Sequence, residues 1–441
     1  MPLSGTPKSK HQLEPRERSL MKVMKWSVIA MAVAAGTSQL AFASAQSESK
    51  GFVDDASLDL LLRNAYFLRD HGDGVKDQSR WGQGFIATFE SGFTQGPIGV
   101  GVDAYGLLGI KLDTGKSSAD GGISFFDTDS NGDPYQDVSE AGAAIKFRAS
   151  NTVLKYGNQM PSMPVLSHDT TRLLPQTFTG TLLTTNEIEG LEVNVGRFTS
   201  QNDNNRAGWD SGRQLKSIDV IGGSYSFTDN LSASLYFSDV EDVYNKKYAN
   251  VNYVMPFTED QSLAFDFNIY KTDFDNGTVA ATEWGGDGVS DENTIWSLAA
   301  TYSVGAHAFI VAHQRVSGDT GYAYDYGDGG NGIYLANSFL SDFNSKDERS
   351  WQASYELDFS GYGVPGLFWK TAYLRGSNID LGNGDRGTER EIFNQVQYVI
   401  QNGPAKDLSF KLRNSILRTS NGYWNDMNEI RAFVEYPLSI L

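Results

Sequence analysis

The chain has 441 residues, no cysteine and a formal net charge of -18. So acidic a chain is not built to wrap nucleic acid, and without thiols it has neither a thiolate metal site nor a cysteine nucleophile. Its mean hydropathy of -0.37 would by itself suit a soluble acidic protein, a reading that the N-terminal residues argue against.

Residues 1–20 fit no targeting pattern, so translation is expected to start at Met21 or Met24, with an extended signal as the alternative. Met21 to Lys25 is short and basic, Trp26 to Phe42 is mostly apolar, and two small-x-small sites follow, Ala41-Phe42-Ala43 and Ala43-Ser44-Ala45. Charged start, apolar centre and small-residue exit make a secretory signal peptide over 21–45. The apolar run, broken by Gly36, Thr37, Ser38 and Gln39, is too short for a membrane anchor. Export removes six basic residues (Lys8, Lys10, Arg16, Arg18, Lys22, Lys25) against two acidic ones (Glu14, Glu17), leaving residues 46–441 more acidic still. The missing cysteines suit passage through an oxidising periplasm.

Beyond residue 45 no apolar run approaches the length of a transmembrane helix. The recurring pattern has period two. Leu58, Leu60 and Leu62 form one row near the start. Ile145 and Phe147 alternate with Lys146 and Arg148 in 143–150. Leu263, Phe265, Phe267 and Ile269 bracket Asp266 and Asn268. Trp296 to Val304, Trp351 to Phe359, Leu408 to Leu412 and Ile430 to Tyr436 repeat the alternation. Such rows occupy opposite faces of a strand, and runs of about ten residues match a tilted strand crossing a bilayer. Gly, Asn and Asp clusters at 127–134, 275–277, 327–332 and 382–387 read as loops, and 228–231 as a tight turn. The fold class is therefore all-β: a transmembrane barrel or a soluble sandwich or solenoid. Alternation alone does not say which row faces outward. The signal peptide, the polar partner rows and an aromatic content of 12%, much of it near run ends, favour the barrel.

Sorting the cations by parity isolates a group. Arg63 and Arg69 oppose the leucine row, Arg80 precedes the Trp81 run, and Lys146, Arg148, Lys411, Arg413 and Arg431 all lie on polar rows. A cation over lipid costs about 2–4 kcal/mol at mid-depth, so in a barrel these residues face the lumen. First and last strands of a closed barrel are neighbours, which would gather Arg63, Arg69, Lys411, Arg413 and Arg431 on one wall. A column of cations offers a carboxylate several weak sites in succession, as transport requires, and arginine grips carboxylate bidentately. The plainer alternative pairs each cation with a lumen carboxylate.

These same residues carry a resemblance. Trp81-Gly82-Gln83-Gly84-Phe85, Leu62-Arg63-Asn64 with Arg69-Asp70, Leu154 to Pro161, Arg172 to Thr177, Thr228 to Tyr236, Tyr362 to Leu367, Gly403 to Phe410 and the ending Tyr436 to Leu441 are similar to the OprD-type (porin D) family of substrate-specific outer-membrane channels, over residues 51–441. The resemblance implies an 18-stranded antiparallel barrel in the outer membrane of a Gram-negative bacterium. It implies an inward-folded constriction loop at about 158–181, stiffened by Pro161, Pro164 and Pro175. It carries the family's basic ladder onto Arg63, Arg69, Arg80, Lys146, Arg148, Arg413 and Arg431, with Lys411 standing where some relatives have arginine. Asp169, Arg172, His168 and Tyr156 are assigned to the constriction. Small carboxylate-bearing solutes (amino acids, aromatic or organic acids), outer-membrane lipid and the barrel-assembly machinery are the partners implied; homotrimer and monomer both stay open.

Other chemistry is weakly supported. Asp127 to Asp133 begins like a calcium loop, but position twelve is Val138. Of the histidines after residue 45 (His71, His168, His307, His313), none falls in a recognisable Ser-His-Asp set, and no Gly-x-Ser-x-Gly elbow occurs. His307 and His313 are too far apart for a metal pair. No cofactor, metal or enzymatic activity is expected. A sealed structural or adhesive barrel is the first alternative, a serine peptidase the second.

Overall fold

The computed structural model describes residues 44–72, 74–114, 123–211, 215–329 and 332–441. The N-terminal extension and nearly all of the signal-peptide reading fall on residues 1–43, outside the described residues.

The alternating segments form strands that pair antiparallel in chain order. They begin with β1 (Ser57–His71), β2 (Gln78–Glu90), β3 (Gly99–Lys111), β4 (Asp137–Ala149) and β5 (Thr152–Gln159). A two-stranded hairpin, β6 (Ser162–Met163) and β7 (Leu166–Ser167), interrupts the series. It resumes with β8 (Thr177–Ile188), β9 (Leu191–Asn202), β10 (Ile218–Thr228), β11 (Leu231–Val240), β12 (Tyr244–Thr258) and β13 (Gln261–Phe274). The last seven are β14 (Glu292–Val304), β15 (His307–Gly318), β16 (Arg349–Asp358), β17 (Leu367–Asp380), β18 (Arg386–Val399), β19 (Ser409–Thr419) and β20 (Met427–Ser439). All but the small hairpin belong to one 18-stranded sheet. β20 pairs with β1 from Asp59↔Ser439 to His71↔Met427, so the sheet closes on itself and leaves no unpaired edge.

Exposure settles which row faces outward. Ile221, Leu235, Val311, Trp351 and Leu412 are each more than half exposed, an arrangement stable only against lipid. Their polar neighbours, among them Asn194, Asn268, Ser297, Gln314 and Glu391, are buried. A soluble sandwich would show the reverse. The connections at one end are short (150–151, 189–190, 229–230, 259–260, 305–306), and those at the other include 112–136, 160–176, 203–217, 275–291 and 319–348. In outer-membrane barrels the short turns are periplasmic and the long loops extracellular.

Two of the long loops turn inward, and the buried apolar clusters form where they meet the inner wall. Loop 160–176 sets Leu173 and Leu174 among Phe67, Leu107 and Phe433 of the inner wall, together with Phe125 and Phe126 of loop 112–136. Loop 319–348 sets Tyr322 and Ala323 among Tyr244, Tyr248, Tyr270 and Ile295.

Candidate solute path

Closure between β20 and β1 places β19, β20, β1 and β2 side by side. Register then aligns Arg413 with Arg431, Arg431 with Phe67, and Phe67 with Arg80 across four strands. The gathering of Arg63, Arg69, Lys411, Arg413 and Arg431 on one wall is thus present. Parity places carboxylates on that wall too. Arg63 Nε lies 2.7 Å from Glu435 Oε1, with Lys411 Nζ 3.6 Å from the other oxygen. Glu429 is shared by Arg69 at 2.6 Å and Arg431 at 2.5 Å. Arg431 also stacks over Phe67 at 4.7 Å and Lys411 over Phe433 at 4.6 Å.

Arg413 differs from these neighbours. Its guanidinium lies over the Phe393 ring at 5.0 Å, its Nε is buried without an acceptor, and among the described residues it has no ion pair. Its two terminal nitrogens are not buried, and among the described residues no hydrogen bond occupies them, so they remain available to a passing anion.

Of the other expected ladder residues, Arg80 ends this aligned row on β2, and Lys146 and Arg148 lie on β4. Arg80 is only 1% exposed and pairs with Asp113 at 3.6 Å, so it does not line open space. Lys146 shares Asp103 with Lys155, at 2.5 Å each. Arg148 lies near the periplasmic turn 150–151, where its Nε donates to Gln46 Oε1 at 2.9 Å and its guanidinium covers Phe93 at 4.1 Å.

The constriction loop runs from 160 to 176, tighter than the expected 158–181, because β5 continues to Gln159 and β8 begins at Thr177. Arg63 Nη1 donates to the carbonyls of Thr170 (3.2 Å) and Arg172 (3.0 Å), so a wall cation pins the loop. Glycine makes room for it: a Cβ on Gly82 would stand 2.7 Å from Leu173 Cδ2, and one on Gly84 would stand 3.0 Å from the Leu173 carbonyl oxygen. At the loop base, Glu140 accepts from Tyr105, Thr177 and Asn202.

Within the loop Asp169 accepts from Thr171 N and Asn204 Nδ2. Burial and the charges of Arg431 and Arg69 push Arg172 down to about 10, against the opposing pull of Asp169 and Glu429. His168 is held at its Nδ1 by the Pro161 carbonyl at 2.6 Å, and burial lowers its pKa. Tyr156 does not belong to the constriction. It lies on β5 in the same outward row as Leu154 and is 61% exposed to the lipid side, because strand parity continues through it.

Loop 319–348 is a second inward element, which composition and periodicity do not distinguish from an ordinary loop. The fully buried Lys246 of β12 pairs with Asp328 and donates to the Ala323 carbonyl. Glu391 of β18 accepts from the amides of Leu340 and Ser341 at 3.1 Å, and Gln314 of β15 donates to the carbonyls of Asp342 and Phe343. Ser167 N donates to the Asp328 carbonyl at 3.1 Å, so the two inward loops touch. Asp342 accepts from Ser338 and Tyr324; burial raises its pKa, while Arg431 and Arg172 act on it in the opposite sense. The available signal is Lys246-Lys247, two consecutive cations of which parity must turn one inward.

A closed barrel with an apolar outside, a polar lumen narrowed by inward loops and a charged inner wall defines a channel of the outer membrane, a porin through which solutes pass passively. Comparison with known proteins agrees. A family model described as outer membrane porin, OprD family, matches residues 50–440. Porin D of Pseudomonas aeruginosa is 46% identical over 454 aligned residues, covering 96% of this chain and 100% of the relative. The crystal structure of OccAB1 from Acinetobacter baumannii superposes with a TM-score of 0.86 at 39% identity, over 90% of this chain and 100% of that one. OpdK of Pseudomonas aeruginosa, solved with vanillate, gives a TM-score of 0.80 at 32% identity, over 88% of this chain and 100% of that one. The chain belongs to the OprD family of substrate-specific outer-membrane porins, whose members are channels and not enzymes.

Proposed function

We propose that this porin admits small carboxylate-bearing solutes, such as amino acids, aromatic acids or organic acids, along the inner wall of β19, β20 and β1. The observation that carries the reading is Arg413. It stands in register with Arg431, beside wall cations that already have carboxylate partners, and its Nε has no acceptor. A solute carboxylate binds the terminal nitrogens of that guanidinium, which are not buried and have no protein partner among the described residues. It then exchanges past Arg431 and the Arg63–Lys411–Glu435 group, where it competes with resident glutamates, so no single site holds it tightly. The vanillate with which OpdK was crystallised is a small aromatic carboxylate, and its chemistry accords with this choice.

Liposome swelling tests the proposal with benzoate and its uncharged amide as a matched pair. Arg413→Gln should slow benzoate roughly tenfold, the scale of one charge-assisted hydrogen bond, and leave the amide within about twofold. Equal slowing of both would remove the carboxylate reading and leave only a change of pore size.

A further inference from the structure

The outer face of the barrel carries a second group of arginines, on the opposite parity to the solute path. Arg315 of β15, Arg349 of β16, Arg375 of β17 and Arg390 of β18 are all exposed and point outward. All lie toward the extracellular ends of their strands, Arg315 three residues before the end of β15 and Arg349 at the first residue of β16. Outward Trp351, Tyr373 and Ile392 follow one step further into the membrane. Trp351 there stacks on His313 at 4.3 Å, as in an interfacial girdle.

Register sets these arginines against one another. Arg315 is the direct cross-strand partner of Arg349, and Arg375 of Arg390. Like charges placed directly opposite in a sheet are destabilising. Among the described residues none of the four has an ion pair or a side-chain hydrogen bond. A few strands away the same arrangement is neutralised from within the chain. Lys247 directly faces Lys271, and Asp273 bridges them at 2.8 and 3.6 Å while Glu292 takes Lys271 at 2.9 Å. Arg197 is likewise matched by Asp219 at 2.9 Å. The flanking outward arginines are also supplied, Arg386 by Asp347 and Arg418 by Asp426. Among the described strand residues, the stretch from β15 to β18 is where outward cations face one another without a protein anion.

We infer that this arginine belt is a docking site for the phosphate groups of a lipopolysaccharide molecule in the outer leaflet. Guanidinium grips phosphate bidentately. Strands lie about 4.8 Å apart, so four in succession span about 15 Å, a width suited to a head group with more than one phosphate. The aromatic and aliphatic row beneath receives its acyl chains. The site depends on the outer-membrane location and not on which solute the lumen admits.

Native mass spectrometry of the detergent-solubilised porin, titrated with purified rough-type lipopolysaccharide, tests it. The wild type should bind the phosphorylated lipid. R315Q/R349Q/R375Q/R390Q should bind it on the order of several hundredfold less tightly, since one basic residue at an anionic lipid surface contributes about fivefold. Dephosphorylated lipopolysaccharide should bind the wild type as weakly as the intact lipid binds the variant. Heat-modifiable migration and unchanged conductance establish that the variant is folded. The pair variants R315Q/R349Q and R375Q/R390Q give the same comparison should the fourfold one not assemble. Equal binding by variant and wild type, or no preference for phosphate, overturns the inference. So does a change in oligomeric state with lipid binding intact, which would assign the belt to a second copy of the chain.

Discussion

The inner wall and the outer belt use the same residue type on the same sheet and leave it in opposite states. Inside, Arg63, Arg69 and Arg431 are matched by Glu435 and Glu429 at 2.5–2.7 Å, with the arginine side chains largely buried. Outside, Arg315, Arg349, Arg375 and Arg390 stand against each other with no acid in reach among the described residues. Parity alone decides the face. What an arginine can then do depends on whether its neighbours supply an anion. A matched cation positions loops and shapes potential, and an unmatched one waits for a ligand. Arg413 is the inner residue that resembles the outer set.

The largest expected effect follows from breaking the inner matching. Glu429 is buried and serves two arginines, so Glu429→Leu leaves two charges without their partner. A buried pair broken in this way costs about 3–5 kcal/mol. Arg375→Gln on the outer face removes no ion pair or side-chain hydrogen bond among the described residues and should stay within about 0.5 kcal/mol. Urea unfolding of both variants in lipid vesicles measures the difference. If Glu429→Leu unfolds with the wild type, the glutamate is a spectator and the wall is held by stacking on Phe67 and Phe433 instead.

How much of this was legible follows from what strand parity can carry. Alternation at Leu263 to Ile269 or Trp351 to Phe359 needs only neighbouring residues, and it marks the strands and sorts side chains into two rows; which row faces lipid shows only in the exposure of the folded barrel. The same rule, applied to Tyr156, would have set it outward with Leu154; nearness to the proline-rich loop obscured that. The glutamates were visible on the polar rows, but their pairing joins Arg63 to Glu435 across 372 residues, and only closure of the barrel reveals it. Loop 319–348 has no periodicity at all. Its place depends on contacts such as Lys246 with Asp328, 82 residues apart, and Leu340 with Glu391, so local sequence gives no sign that it enters the lumen.

An intermediate effect is expected where the two faces are compared through glycine. Gly84 points inward, where a side chain would meet the Leu173 carbonyl; Gly106 points outward, with nothing within 4 Å of a Cβ. Gly84→Val should cost about 1–3 kcal/mol and push the constriction loop from the wall, changing single-channel conductance. Gly106→Val, facing lipid, should leave conductance unchanged. Identical conductance for the two would mean that loop 160–176 does not limit the pore.

The smallest effect concerns charge across the constriction. Burial raises the pKa of Asp342, so on acidification it takes up a proton before an ordinary aspartate does at about 4. Protonation removes one negative charge from the electrostatic surroundings of Arg172 and Arg431 and makes the potential there more positive. The ratio of anion to cation permeability, read from reversal potentials in a salt gradient, should therefore rise as pH falls from neutral. In Asp342→Asn the ratio should start high and stay flat over that range, because the negative charge is absent throughout. A variant that keeps the wild-type slope would place the titrating group elsewhere on the lumen wall and reduce Asp342 to an anchor for Ser338 and Tyr324.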